Sequence, residues 1–283
     1  MNGRIKQILA AAALTAAATV TVVASGPAAG QAAVPAVQGF GLTADGLTML
    51  AFQSQTPNVS DWVQDIVGFT GHDTYGVGLD TRPANGVIYL VANAGGIYTV
   101  DRWYITKVGQ LSVALNGQSF GVDFNPAADR LRIFSNTGQN LSHDVDGNVT
   151  TAQTALTDGA SGKSATGVTA GAYTNNDTSN LTATALYDVD TIANQISLQN
   201  PPAAGTLFPQ GMLGVDPAQN SSMDIVSTIS NGRTVANTAF AALINPVTNR
   251  STLYSVDLTS GFATSIGNFP SVLQVGSITF ARY

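Results

Sequence analysis

The chain has 283 residues, and its 11 basic residues face 17 acidic ones, giving a formal net charge of −6. An acidic balance excludes nucleic acid as a partner, because phosphate binding needs a basic surface. The absence of cysteine removes thiolate catalysis, thiolate metal sites and disulfides, so stability has to come from burial and strand pairing.

Residues 1–36 read as a secretory signal. Arg4 and Lys6 form a basic start, Ile8 to Val23 is Ala-rich and apolar, and small residues around Val34-Pro35-Ala36 offer cleavage points. The expectation is a secreted or periplasmic protein with no membrane span once the leader is gone. Residues 37–283 are expected to form one domain, and without Arg4 and Lys6 its net charge is about −8.

All 17 acids are Asp, with no Glu anywhere. Glu favours helices, whereas Asp and Asn favour turns, so short strands joined by tight turns are predicted throughout. At the N-terminal end, Phe40–Ala44, Thr48–Gln53 and Trp62–Gly68 read as three strands that lack an inner one. Next come Val77–Thr81, Val87–Ala92, Ile97–Asp101 and Tyr104–Gly109, with Arg82-Pro83-Ala84-Asn85-Gly86 as the first turn. The plan repeats in Phe120–Phe124, Arg130–Ser135, Asn140–Val145 and Asn148–Gln153. A fourth set runs Thr169–Thr174, Ala183–Val189, Gln195–Gln199 and Leu207–Leu213, with long loops at Asp158–Thr166 and Asn200–Gly205. A fifth runs Ser222–Thr228, Thr238–Ile244, Thr252–Leu258 and Phe262–Gly267, and Gly276–Arg282 is left as a lone strand.

One phrase ties these sets together. Gly78-Leu79-Asp80, Gly121-Val122-Asp123 and Met223-Asp224-Ile225 open inner strands, while Tyr98-Thr99-Val100-Asp101, Tyr187-Asp188-Val189-Asp190 and Tyr254-Ser255-Val256-Asp257 recur at hairpins. All-strand repeats of roughly 40–50 residues predict an all-β β-propeller, in which no blade buries its own faces alone. Five blades are favoured, with the C-terminal strand joining the N-terminal blade to close the ring and remove its sheet edges. Six blades follow if Leu213-Gly214-Val215-Asp216 starts another.

The run from Phe120 through Asn125-Pro126-Ala127-Ala128-Asp129 to Arg132 is distinctive, and it continues as Ser135-Asn136-Thr137-Gly138-Gln139-Asn140. With Ala172-Tyr173-Thr174-Asn175-Asn176 and Gln199-Asn200-Pro201-Pro202, it resembles a secreted bacterial family numbered 4394 among the domains of unknown function. The resemblance covers roughly Gly39 to Gly267. It implies an exported, propeller-like domain and brings no activity, cofactor or catalytic residue with it. The chain departs from the family's pattern at His143 and Asp144.

Candidate chemistry concentrates on the inner strands. Asp80, Asp123 and Asp224 fall at matching places, and Asn125 and Asn175 stand near one rim. Carboxylates and amides so arranged suit Ca²⁺ or a polar ligand such as a sugar; the alternative is that each Asp accepts amides of its own turn. No other cofactor is expected. Arg130 and Arg132 share one strand face and are expected to pair with Asp123, Asp129 or Asp144 in a salt-bridge network, as is Arg82 in its own blade. His143-Asp144-Val145-Asp146-Gly147-Asn148 reads as a hairpin turn. There is no Gly-x-Ser-x-Gly elbow, and the two histidines, His72 and His143, are too far apart in sequence to suggest zinc.

Two functions are carried forward, and neither assigns a catalytic residue. One is a monomeric, non-catalytic binding or interaction module for a polysaccharide, peptide or cell-surface protein, a scaffold whose rim loops do the work. The other is a glycan-active hydrolase or lyase using inner-strand Asp residues, which needs two axial carboxylates lining a cleft with exposed aromatics such as Trp103 or Tyr173.

Overall fold

Short strands bounded by Asn, Asp and Gly turns pair with their sequence neighbours, and the sheets that result are small, twisted and, apart from one short edge strand, antiparallel. The computed structural model describes residues 34–179 and 181–282. The leader expected at 1–36 therefore lies, up to residue 33, outside the described residues. Among the described residues no helix is long and apolar enough to cross a membrane.

Blade 1 begins with β1 (Gln38–Thr43), β2 (Thr48–Gln53) and β3 (Ser60–Asp65). Blade 2 holds β4 (Gly76–Thr81), β5 (Ile88–Ala92), β6 (Gly96–Asp101) and β7 (Tyr104–Gln110). Blade 3 holds β8 (Phe120–Asn125), β9 (Arg130–Ser135), β10 (Asn140–Asp144) and β11 (Val149–Ala152). Blade 4 adds β12 (Thr157–Asp158) to β13 (Val168–Tyr173), β14 (Leu186–Asp190), β15 (Gln195–Gln199) and β16 (Thr206–Met212). Blade 5 holds β17 (Ser222–Ser230), β18 (Arg233–Ile244), β19 (Ser251–Val256) and β20 (Ala263–Asn268), and β21 (Val275–Phe280) ends the fold.

The last strand does not stay with blade 5. It pairs with β1, Gly39 opposite Phe280 and Gly41 opposite Ile278, so blade 1 reads β21-β1-β2-β3 from the centre outward. The inner strands β21, β4, β8, β13 and β17 each touch the next, and β17 returns to β21. The chain is a five-bladed β-propeller, closed by its C-terminal strand.

Three expectations need correction. Leu213–Asp216 starts no sixth blade; Leu213 is buried between blades 4 and 5, its amide on Asn194 and its carbonyl on Ala263. The loop between blades 3 and 4 contributes a short strand, β12, parallel to β16. The β17–β18 hairpin is longer than the hydrophobic pattern indicates, because Thr228–Ser230 and Arg233–Asn237 keep pairing after their side chains reach solvent.

The apolar cores lie between blades. Leu42 and Met49 of blade 1 meet Leu79, Leu90 and Tyr98 of blade 2, and Tyr89 and Val91 meet Val122 and Ile133 of blade 3. Closure is sealed by aromatic rings: Phe280 lies 4.5 Å from Phe240 and 5.9 Å from Phe52, centroid to centroid. At Gly121, any Cβ would collide with the Phe134 ring, so glycine there lets the second strand's aromatic lie flat on the inner strand.

The interface between blades 3 and 4 differs from the rest. Where blades 2 and 3 pair Leu79 with Leu90 and Val122 with Ile133, blade 4 pairs Gly171 with Asp188. The fully buried Asp188 carboxylate lies over Gly171, with no hydrogen-bond partner for either oxygen among the described residues. Burial pushes its pKa well above the usual carboxylate range, against the opposing pull of Arg132.

Candidate functional site

Five positions line the centre at the same height: Asp80 on β4, Asp123 on β8, Ala172 on β13, Asp224 on β17 and Thr279 on β21. Their equivalence follows from hydrogen bonding between neighbouring inner strands. Asp80 Oδ2 accepts the Phe124 amide, Asp123 Oδ1 the Tyr173 amide and Asp224 Oδ2 the Phe280 amide, each at 2.8 Å. Thr279 Oγ1 accepts the Thr81 amide at 2.9 Å. Ala172 has no acceptor to offer, and the Ile225 amide turns back to its own neighbour, Asp224 Oδ1, at 2.6 Å. The carboxylates thus serve the next blade's inner strand rather than their own turns. The reading in which each Asp caps its own turn is corrected for these three.

The belt brings Asp80, Asp123 and Asp224 together, with one oxygen of each within 4.8 Å of the others. Thr279 Oγ1 bridges Asp80 Oδ1 at 3.0 Å and Asp224 Oδ2 at 3.2 Å. Three carboxyls this close, each about 1–2% exposed, repel one another in a medium that cannot solvate them. Burial, and then the charge of Asp224, pushes Asp80 up to about 7. Burial, and then Asp80 and Asp224, raises Asp123 well above the ordinary range, and burial raises Asp224. Arg282 opposes this. Its Nη2 lies 3.6 Å from Asp80 Oδ1 and 4.0 Å from Asp224 Oδ1, and its Nε donates to the Thr81 carbonyl at 2.9 Å.

Above the belt, at the rim where the inner strands end, two cavities share Gly86, Ala281 and Arg282 as a common wall. One, about 850 Å³, lies between blades 1 and 2 and is walled by Phe40, Trp62, Ile88 and Val100, with Asp61 and Arg102 at its edge. The other, about 580 Å³, reaches down to Asp224 and is walled by Asn85, Asn176, Asp177 and Ser227. Volumes of this size suit small ligands, for which roughly 300–1,000 Å³ is usual.

Residues 48–279 match the family described as "Domain of unknown function (DUF4394)". The chain belongs to this family. No curated protein matches it. Among solved structures, the DUF4394 chain is similar to a glutaminyl cyclase of Myxococcus xanthus at 9% identity and TM-score 0.43, covering 88% of this chain and 95% of that one. It is similar to a protein from Lactobacillus plantarum at 12% identity and TM-score 0.40, covering 88% and 100%. An auxiliary nutrient binding protein from Bacteroides thetaiotaomicron shares 13% identity at TM-score 0.38, covering 81% of this chain and 58% of that one.

The other residues singled out from the DUF4394 sequence do not join the belt. Asn125 Oδ1 caps its own turn on the Ala127 and Ala128 amides, and Asn175 pairs with Asn237 and the Ala183 carbonyl. Arg130 meets Asp144 at 3.4 Å. The salt-bridge expectation fails for Arg132: its guanidinium donates to Asn140, Gln153 and the Tyr173 hydroxyl, because the facing strands present amides and a phenol there. Asp129 instead serves Arg82, which takes Asp129 and Asp146 at 2.5–2.8 Å and clamps the first turn of blade 2 to two turns of blade 3. Tyr173 is buried and cannot act as an exposed aromatic, and Trp103 lies outside the larger cavity, packed on Trp62. The Asp144–Asn148 segment is a hairpin turn, with Asp144 Oδ1 accepting the Asp146 and Gly147 amides.

Two members of the site escaped the sequence reading. Ser277-Ile278-Thr279-Phe280 has the same offsets as Gly121-Val122-Asp123-Phe124, so aligning the closing strand with the other inner strands would have exposed Thr279. Arg282, two residues past that strand's end, carries no pattern that marks it. As for metal, Asp80, Asp123 and Asp224 are the carboxylates that could hold a hard cation, which takes about 6–8 oxygens in the case of Ca²⁺. Both oxygens of Asp80 and Asp224 and Oδ1 of Asp123 already accept hydrogen bonds, and Arg282 brings its own positive charge.

Proposed function

We propose that this DUF4394 protein is an exported, non-catalytic binding module whose ligand seats on the rim formed by the ends of the inner strands. The observation that carries the reading is the pair of cavities meeting at Arg282, above carboxylates committed as struts between blades. Asp80 and Asp123, almost fully buried and each holding a neighbour's amide, line neither cavity. Export rests on the basic, apolar and small-residue sequence of positions 1–36.

A screen of purified protein against glycan and peptide arrays tests the proposal, with Arg282→Ala as the paired variant. The expected result is a bound ligand that is recovered chemically unchanged and is lost or weakened in the variant. The glycan-hydrolase or lyase reading has one observation in its favour: Asp224 touches the smaller cavity beside a carboxyl raised to about 7. New reducing ends released from a bound polysaccharide, and abolished by Asp224→Asn, would replace the binding-module reading with that one.

A further inference from the structure

The larger cavity is lined by two chemically different kinds of group. Phe40, Trp62, Ile88 and Val100 rest on the core between blades 1 and 2 and turn apolar surface into the cavity. The same lining also carries hydrogen-bonding side chains, among them Gln38, Asp61 and Arg102. A pyranose ring has this division, an apolar C–H face and an equator of hydroxyls. We propose that the 850 Å³ cavity is a neutral-oligosaccharide site in which a sugar ring packs against Trp62 and Phe40 and hydrogen-bonds to the polar groups of the lining. This rests on the binding-module reading and names its ligand class.

Three further features agree. The aromatic surface continues beyond the cavity: Phe40 lies 6.4 Å from Trp62, Trp62 lies 5.8 Å from Trp103, and Trp103 lies 5.7 Å from the exposed Tyr104. A chain of several sugars can follow such a track, whereas a single buried side chain of a peptide would use only its first ring. The track is also held rigid. The Trp103 carbonyl accepts the Val67 amide and the Val67 carbonyl accepts the Ile105 amide, tying blade 1 to the edge of blade 2. A preset surface loses little conformational entropy on binding.

The third feature is Arg102. In the turns between the third and fourth strands, blades 3 and 5 place Asn148 (φ 52°) and Gly261 (φ 78°) in the left-handed region. Blade 2 places Arg102 there at φ 58°, a conformation that disfavours a long L side chain and that Gly or Asn would relieve. That residue stands at the cavity's edge. The charges of the lining balance, Asp61 and Asp101 against Arg102 and Arg282, which suits an uncharged ligand.

The test uses a property of the sequence: Trp62 and Trp103 are the chain's two tryptophans, so all tryptophan emission comes from this track. The purified protein is titrated with hexasaccharides of glucose, mannose, xylose and N-acetylglucosamine and, separately, with acidic glycans and an unstructured peptide pool. At least one neutral hexasaccharide is expected to shift or quench the emission saturably. Trp62→Ala should weaken it roughly 10- to 30-fold, the loss usual for a central aromatic contact. Trp62→Phe should retain much of the binding, and Arg102→Ala should weaken it while the thermal melt stays cooperative. If Trp62→Ala does not fold, Trp62→Phe and Arg102→Ala carry the comparison.

A silent titration with every neutral sugar overturns the sugar site. So does an emission change seen with peptides or acidic glycans alone. A ligand that binds without touching the emission and depends on Ser227 or Asn176 would leave the binding module standing and place its site in the smaller cavity.

Discussion

Replacing Asp80 with Asn should turn an alkali-sensitive propeller into one much less sensitive to pH. In the folded protein Asp80 is raised to about 7 from an ordinary 3.8, so between those values the folded state holds a proton that the unfolded chain releases. Its contribution to stability is therefore complete below about pH 4 and is lost as pH rises through about 7. A shift of about three pH units at about 1.36 kcal/mol each comes to on the order of 4 kcal/mol, spread over the cluster because Asp123 and Asp224 are raised as well. For a domain of this size about 1 kcal/mol moves Tm by roughly 2–4 °C, so wild type should melt roughly 8–16 °C lower at pH 8 than at pH 4 on this account alone. Asp80→Asn keeps a side-chain oxygen for the Phe124 amide, adds no charge and should flatten that fall. Scanning calorimetry of both proteins across pH 4–9 reads the difference. Parallel curves, or a variant weakened as much at pH 8 as at pH 4, would refute the buried-carboxyl account of the belt.

Other outcomes follow from the same structure. Asp188→Asn should stabilise the protein above neutral pH by about 1–3 kcal/mol and leave it unchanged at pH 4, because an unpartnered buried carboxylate is removed without changing the shape; chemical denaturation at the two pH values checks it. Deleting residues 276–283 removes Ile278 and Phe280 from the closing core at about 1.5–3 kcal/mol each and exposes β1 as an open edge. The product should lose its cooperative melt or aggregate, and a truncation that melts like wild type would contradict ring closure. Arg282→Ala should sharpen the alkaline fall in Tm, since the cation nearest Asp80 and Asp224 is lost. If protons and Arg282 alone neutralise the belt, EDTA followed by added calcium leaves the melt at pH 7 unmoved; a rise with calcium would assign the three Asp residues a cation.

The ring of five blades was legible because its signals are local. Pro83, Asn85 and Gly86 set a turn, Asp144, Gly147 and Asn148 another, and the apolar alternation between them fixes strand faces without reference to the rest of the chain. Even closure could be read, as a lone strand at one end and a missing inner strand at the other. The convergence of Asp80, Asp123 and Asp224 was foreseeable from their matching offsets. Their partners were not, since an amide on the next blade is chosen by the stagger between inner strands, which only the closed ring sets. The same holds for Arg132, whose neighbours across the interface turned out to be amides and a phenol. Trp62 and Trp103 meet through a bridge between blades 1 and 2 that no spacing encodes. Sequence alone thus determined the repeat, the turns and the order of strands. Tertiary structure decided which side chains share a buried space, because that depends on how each blade leans against the next and not on the periodicity within it.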